Sequence, residues 1–336
     1  MASLRAFIIS RVLLTIPMIF ILLTIVFYVL RMMPGDPVTA MLGEKASPKL
    51  VEEMRIKLGL NKPLLYQYID YVTNVLRGDF GLSTWTRRPV LDEILDRFPA
   101  TLELAIAATI VSIGIGIICG ALAAYREKTV VDLAFRLFGI ISYSLFIPWF
   151  GMVLQMIFSV HWHLLPTSGR IYPLLKPRRI TGLYVLDSLL TWNLKALSNA
   201  ISHLILPSIT LGIVLSGIYI RLTRNSMIEI LRQDFITAAR ARGVSENTVL
   251  VRHALKNTLI PLLTMMGLQF ALLLGGAVLT ETTFSWPGMG TFLLERIYYR
   301  DFPAIQGTII FYGILVALVS LIVDVLYAYI DPRIRY

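Results

Sequence analysis

Long apolar runs alternate with polar stretches along this chain, and the alternation predicts a bundle of membrane-crossing helices. The first run, 12–30, follows Arg5 and Arg11 and is close to the roughly 20 residues a helix needs to cross a bilayer. No small-residue cleavage site follows it, so residues 1–31 read as a tail and an uncleaved anchor helix. Five more runs cover about 100–124, 133–160, 203–220, 258–280 and 304–330. The mixed stretch 32–98 leaves no room for a further pair of spans. It is punctuated by Gly59, Pro63, Gly78 and Gly81 and is expected to form an extracytoplasmic subdomain with a short helix near 52–57. Residues 99–336 then make a five-helix core. Gly116 and Gly120 allow close helix packing in the second run. Pro148 and Pro207 are expected to kink or open theirs. The fold class predicted is all-α, a membrane protein with six transmembrane helices.

One polar stretch, 221–257, separates two strongly apolar runs. Within it Met227, Leu231, Phe235 and Ala238 recur at helical spacing and predict one apolar stripe. Gly243 breaks that helix, being free to take positive φ. Ser245 is placed to cap a second short helix, and Glu246 suits its positive end. Ala238, Ala239, Ala241 and Gly243 leave the tip nearly bare, open to the backbone of another protein. From residues alone, a basic connector that only sets topology explains the stretch equally well.

Composition agrees with the membrane reading. The chain is 56% hydrophobic and only 15% charged, against roughly 25% charged in a soluble domain. Its net charge of +10 comes largely from residues flanking the spans, which points to membrane lipid rather than nucleic acid. Arg5, Arg11, Arg126, Lys128, Arg136, Arg221, Arg224, Arg252, Lys256, Arg333 and Arg335 fall on one side, so both termini are expected in the cytoplasm. The 161–202 loop weighs against this, carrying Arg170, Lys176, Arg178, Arg179 and Lys195 against Asp187 alone. Cys119 is the single cysteine and lies inside an apolar run, which excludes an intrachain disulfide.

Candidate chemistry is sparse. The chain has no G-x-x-x-x-G-K-[ST], so it lacks the phosphate cradle of an ATPase. Asp79-Phe80-Gly81 stands without the other kinase signatures, and neither HExxH nor G-x-S-x-G is present. No catalytic, cofactor or metal residue is therefore assigned. His161-Trp162-His163 fits interfacial anchoring better than a metal site, which needs further ligands. Glu103, Glu281 and Asp324 lie in or beside the spans, where a charge costs roughly 2.5–3.5 kcal/mol and faces the bundle interior. Glu281 either lines a path or caps the turn built by Pro287 and Gly288, the latter favoured. Asp324 is expected to meet an arginine such as Arg221. Gly275 and Gly276 serve helix packing or a gate hinge, and with Glu281 they are the candidates for the translocation path.

The spacing Thr237-Ala238-Ala239, three residues, then Gly243 resembles the EAA loop of bacterial ABC importer permeases. Thr237 stands where that family carries an acidic residue, and the family's I-x-L-P ending is replaced by His253-Ala254-Leu255-Lys256, with proline only at Pro261. The resemblance extends over nearly the whole chain. Pro34-Gly35-Asp36-Pro37, Leu58-Gly59-Leu60, Arg77-Gly78-Asp79-Phe80-Gly81 and Arg88-Pro89-Val90 look like the dipeptide/oligopeptide/nickel branch. So do Pro99 to Leu104, Leu165 to Gly169, Glu281 to Gly290 and Asp331 to Tyr336. Residues 178–200 fit no pattern. The resemblance implies a type I ABC importer permease core that pairs with a second, homologous permease subunit. It implies two ATPase subunits carrying ATP and Mg, and an extracytoplasmic substrate-binding protein. It marks Asp234, Thr237, Ala238, Ala239, Arg240, Ala241, Arg242 and Gly243 as the ATPase-coupling residues. The implied cargo is a di- or oligopeptide, with nickel, glutathione or oligosaccharide as alternatives. The rival class, an ion-driven secondary transporter, would show inverted repeats and midplane ion sites, and neither is visible.

Overall fold

The structure, a computed structural model, describes residues 4–32, 38, 46–57, 59–275 and 277–330. Pro34 to Pro37, Leu58, Gly276 and Asp331 to Tyr336 lie outside the described residues. The helices are α1 Leu4–Met32, α2 Pro48–Lys57, α3 Leu64–Leu76, α4 Val90–Tyr125, α5 Val130–Ser144 and α6 Ile147–His161. They continue as α7 Tyr184–Leu190, α8 Leu194–Leu231, α9 Asp234–Ala241, α10 Glu246–Leu259 and α11 Pro261–Leu274. The last three are α12 Val278–Thr283, α13 Met289–Tyr298 and α14 Phe302–Ile330. The only extended pairing among the described residues is an isolated antiparallel bridge between Leu82 and Pro89.

The fold is all-α. Among the described residues, helices α1, α4, α8 and α14 contain stretches long and apolar enough to cross a membrane, and counting each of the bent pairs α5–α6 and α10–α11 as one span makes up to six. Several boundaries differ from expectation. The expected span 133–160 is two helices bent by 104°. A proline in a helix interior clashes with the carbonyl four residues earlier, and Pro148 stands four residues after Ser144, where α5 stops. The expected span 203–220 is the middle of a 38-residue helix that passes unbroken through Pro207. There the Ser208 hydroxyl donates to the Leu204 and Ile205 carbonyls at 2.6 and 3.0 Å. The polar stretch thus begins as helix and leaves it only after Leu231. The expected span 258–280 ends at Leu274, and α12 is a separate short helix.

Packing of α4 on α8 forms the centre of the bundle. A Cβ at Gly120 would stand 2.8 Å from the Ile220 carbonyl, and one at Gly116 would overlap Tyr219. Glycine at these sites lets the two backbones approach, which suits helices that gain little from burying apolar surface in lipid. Asp324 pairs with Arg11 at 3.4 Å, not with Arg221. The expectation failed because α1 lies along α14, a neighbour relation that charge spacing does not encode.

The end of the bundle opposite the polar stretch is fastened by buried carboxylates. Asp301 accepts from the Ser83 hydroxyl and, at 3.0 Å, from Thr84 N–H, tying the 77–89 turn to the start of α14. Arg170 donates through Nε and Nη2 to Glu103 Oε2 at 2.8 and 2.6 Å, and Val185 N–H serves Glu103 Oε1 at 2.7 Å. At the surface, the exposed pair Arg179 and Asp96 meets at 2.6 Å. The 178–200 stretch folds around Asp187, which accepts N–H bonds from Ile180, Thr181 and Gly182. Burial raises the Asp187 carboxyl, but the three backbone donors and the Thr181 hydroxyl outweigh it and leave its pKa below the ordinary value.

Candidate functional site

The polar stretch folds as an elbow. α8 ends at Leu231, Gln233 takes an extended backbone, and α9 starts at Asp234. That break resets the helical phase, so the single stripe expected through Met227, Leu231, Phe235 and Ala238 does not form. Ile236 and Ala239 are the buried residues of α9, while Phe235 and Ala238 face outward. Met227, Ile236, Ala239, Val249 and Ala254 pack with Ala124 at the end of α4. The elbow is therefore seated on the ends of two spans.

Gly243 closes α9. Its φ is +77°; its N–H reaches the Arg240 carbonyl at 2.9 Å, and Val244 N–H reaches that of Ala239 at 3.3 Å. This is a Schellman cap, with Val244 packed against the apolar cluster that holds Ala239. Arg240 forms a two-pronged ion pair with Glu246 across the turn, at 2.6 and 3.2 Å. Glu246 holds the Arg240 guanidinium pKa above its ordinary value. Arg242 Nε covers the Ala238 carbonyl at 3.2 Å. Ser245 takes the capping position without capping the backbone; its hydroxyl meets that of Thr248 at 2.8 Å.

The structure brings Asp234, Thr237, Ala238, Ala239, Arg240, Ala241, Arg242 and Gly243 together on this elbow, and all except Ala239 are exposed. A Cβ placed on Gly243 meets nothing within 4 Å. Sequence reasoning missed Phe235 as an outward residue and the Arg240–Glu246 pair. The signal for the cap was present as glycine followed by an apolar residue.

The second set of candidates separates. Gly275 caps α11, and Gly276 lies outside the described residues. Glu281 is fully buried. Thr101 Oγ1 donates to its Oε1 at 2.7 Å, and Gly290 and Thr291 N–H donate to its Oε2 at 2.7 and 3.0 Å. Thr101 Oγ1 in turn accepts Met289 N–H, and Trp286 Nε1 reaches the Ala100 carbonyl, each at 2.8 Å. Glu281 thus latches the 281–290 turn to α4, and these hydrogen bonds support the structural alternative. Gly288 is required because a Cβ there would overlap the Glu281 carboxylate.

Comparison with known proteins agrees with this architecture. Residues 112–336 match the family model described as binding-protein-dependent transport system inner membrane component. Residues 4–105 match the model for the N-terminal part of such membrane components. The chain belongs to this family. It is 40% identical over 334 residues to the dipeptide transport system permease protein DppB of Escherichia coli K12, covering 98% of each chain. It is 43% identical over 332 residues to the di/tripeptide transport system permease protein DppB of Pseudomonas aeruginosa UCBPP-PA14, covering 98% of this chain and 99% of the relative. Identity is 39% over 330 residues to the glutathione transport system permease protein GsiC of Escherichia coli K12, with 98% and 99% covered. This family member is a multi-pass membrane permease, as the EAA-like elbow and the Glu281 to Gly290 motif implied.

Proposed function

We propose that this chain forms half of the translocation path of an ATP-driven importer for di- or oligopeptides. A second, homologous permease subunit supplies the other half. Two ATPase subunits hold ATP and Mg and hydrolyse the nucleotide; a substrate-binding protein delivers cargo on the opposite face. The observation that carries the reading is the elbow. It is bare and exposed on one side, and its other side is packed through Ile236 and Ala239 on the ends of α4 and α8. Closure of the ATPase pair pushes Asp234 to Gly243, and the push passes into the spans, so the path changes sides between two packed states.

The relatives named for dipeptides and di/tripeptides favour a peptide cargo; the glutathione relative keeps a small peptide-like alternative open. Cytoplasmic termini are supported by the ion pairs at the opposite end. Arg170 and Arg179, counted against that orientation, are met by Glu103 and Asp96 of α4. Gly275 remains the gate candidate, at the point where the chain leaves α11.

The test is reconstitution with the partner subunits in liposomes and uptake of a labelled dipeptide. Uptake that needs ATP and survives an uncoupler supports the proposal. Uptake that survives ATP depletion but collapses with an uncoupler overturns it in favour of an ion-driven transporter.

A further inference from the structure

Pairing of Asp324 with Arg11 leaves Arg221 with no carboxylate partner among the described residues, and Arg221 stands at a cavity. A groove of about 570 Å³ lies between α5, α8 and α11. The register of its walls is fixed at both ends. Asp132 on α5 accepts a two-pronged pair from Arg224 on α8. Further along, a Cβ on Gly217 of α8 would stand 3.2 Å from the Tyr143 Cβ of α5. The two helices are therefore antiparallel, and the groove has two distinct ends.

The end toward the elbow is cationic. Arg136, Arg221 and Asn225 line it, with Asp132 meeting Arg136 at 3.4 Å and taking Arg224 fully. Arg221 is the uncompensated charge. The far end is the break after Ser144, lined by Tyr143 and Ser144. There α5 stops, and the carbonyls of its last turn have no further helical donors. Leu145 N–H serves only the Ser142 oxygen, at 3.3 Å. A helix C-terminus carries partial negative charge and attracts cations. Between the ends Ile218 and Met265 supply apolar wall. From Arg136 to Ser144 is eight helical residues, or about 12 Å. An extended peptide covers roughly 3.3–3.6 Å per residue, so three residues stretch about as far.

We infer that this groove holds the passing peptide as a stretched zwitterion, its carboxylate toward Arg221 and its ammonium toward the carbonyl end of α5. The inference rests on the peptide reading above and deepens it. Charge complementarity favours this occupant over an anionic phospholipid. A lipid headgroup would satisfy Arg221, but its acyl chain would then run into Tyr143, Ser144 and the carbonyls at the break. Arg136, Tyr143, Ser144, Arg221 and Asn225 are all exposed along the groove, and polar groups lining such a groove beside apolar spans are expected to face a substrate path rather than lipid.

The assembled importer in liposomes, fed with tri-alanine by its binding protein, tests this. Arg221→Gln is expected to lower tri-alanine uptake per ATP hydrolysed by about tenfold or more, the loss of one charge-assisted hydrogen bond. Arg221→Lys keeps most of that uptake per ATP hydrolysed. Tripeptides carrying a benzophenone on the last residue crosslink to α8 near Arg221. Those carrying it on the first residue crosslink to the Tyr143–Ser144 segment. Reversed crosslinks, or Arg221→Gln uptake within twofold of wild type, overturn the inference alone. Loss of one tightly bound anionic phospholipid in Arg221→Gln, with uptake per ATP intact, overturns it in favour of a lipid site. Wild-type complex that hydrolyses ATP yet moves neither tri-alanine nor a labelled dipeptide overturns the peptide reading and this inference together.

Discussion

Replacing Gly243 separates the strain of the elbow's own backbone from the space needed by a partner. At φ +77° a β-branched residue costs roughly 1–2 kcal/mol, because its Cβ crowds the following carbonyl. Asparagine tolerates that region far better. Neither side chain meets its own protein, since nothing lies within 4 Å of a Cβ at this site. In the free chain Gly243→Asn should therefore cost well under 1 kcal/mol and Gly243→Val about 1–2 kcal/mol. A partner's backbone seated on the bare tip changes this, because overpacking a fitted contact costs typically 1–3 kcal/mol. That is roughly a 5- to 150-fold loss of docking affinity. The assay is ATP hydrolysis stimulated by cargo-loaded binding protein, with uptake measured in the same liposomes and permease assembly checked by size-exclusion. Both variants should fold and pair with the second permease, and both should lose most stimulation and uptake. The refuting result is an assembled Gly243→Val complex with stimulation and uptake both within twofold of wild type.

Other predictions follow from the opposite end of the molecule. Arg170→Met leaves the buried Glu103 carboxylate with Val185 N–H alone and should cost about 3–5 kcal/mol, seen as a lower thermal midpoint in detergent. Adding Glu103→Gln should recover part of that loss. Gly290→Ala places a Cβ 2.8 Å from Val278 Cα and 2.9 Å from Glu281 Oε2, and should cost about 1–3 kcal/mol by the same thermal assay. The Asp187 carboxyl titrates below its ordinary value when folded. Its stabilisation of the 178–200 loop is therefore full above the unfolded pKa and lost as pH falls through the folded one. Hydrogen exchange of Ile180, Thr181 and Gly182 amides should stay slow at neutral pH and rise in acid, and Asp187→Asn should abolish that dependence.

What could be read from the sequence follows from what each signal physically encodes. Apolar runs report the membrane's thickness, so α14 was placed closely, while α1, α4 and α8 overran the expected spans. All three continue as helix beyond the apolar run, where hydropathy carries no signal. The Phe235–Ala238 stripe failed because periodicity assumes one unbroken helical phase, and the extended Gln233 resets it. Gly243 was legible because positive φ is a local demand. Glu281 was legible as part of a motif, but its partners Thr101 and Thr291 lie on other elements. The Arg170–Glu103 bond joins residues 67 apart, and no local pattern announces it.

Helix α8 runs without a break for 38 residues, or about 57 Å at the rise of an α-helix. Its first turn is pinned by Asn193, whose side chain accepts Ala196 N–H at 3.1 Å, and its last turn supports the elbow. A stiff lever of that length has no joint in which to absorb a push. Any tilt imposed beside Met227 must reappear, with opposite sign, at Asn193 and in the loop folded around Asp187. The end that starts at Asn193 and the end that carries the elbow are then two arms of one see-saw.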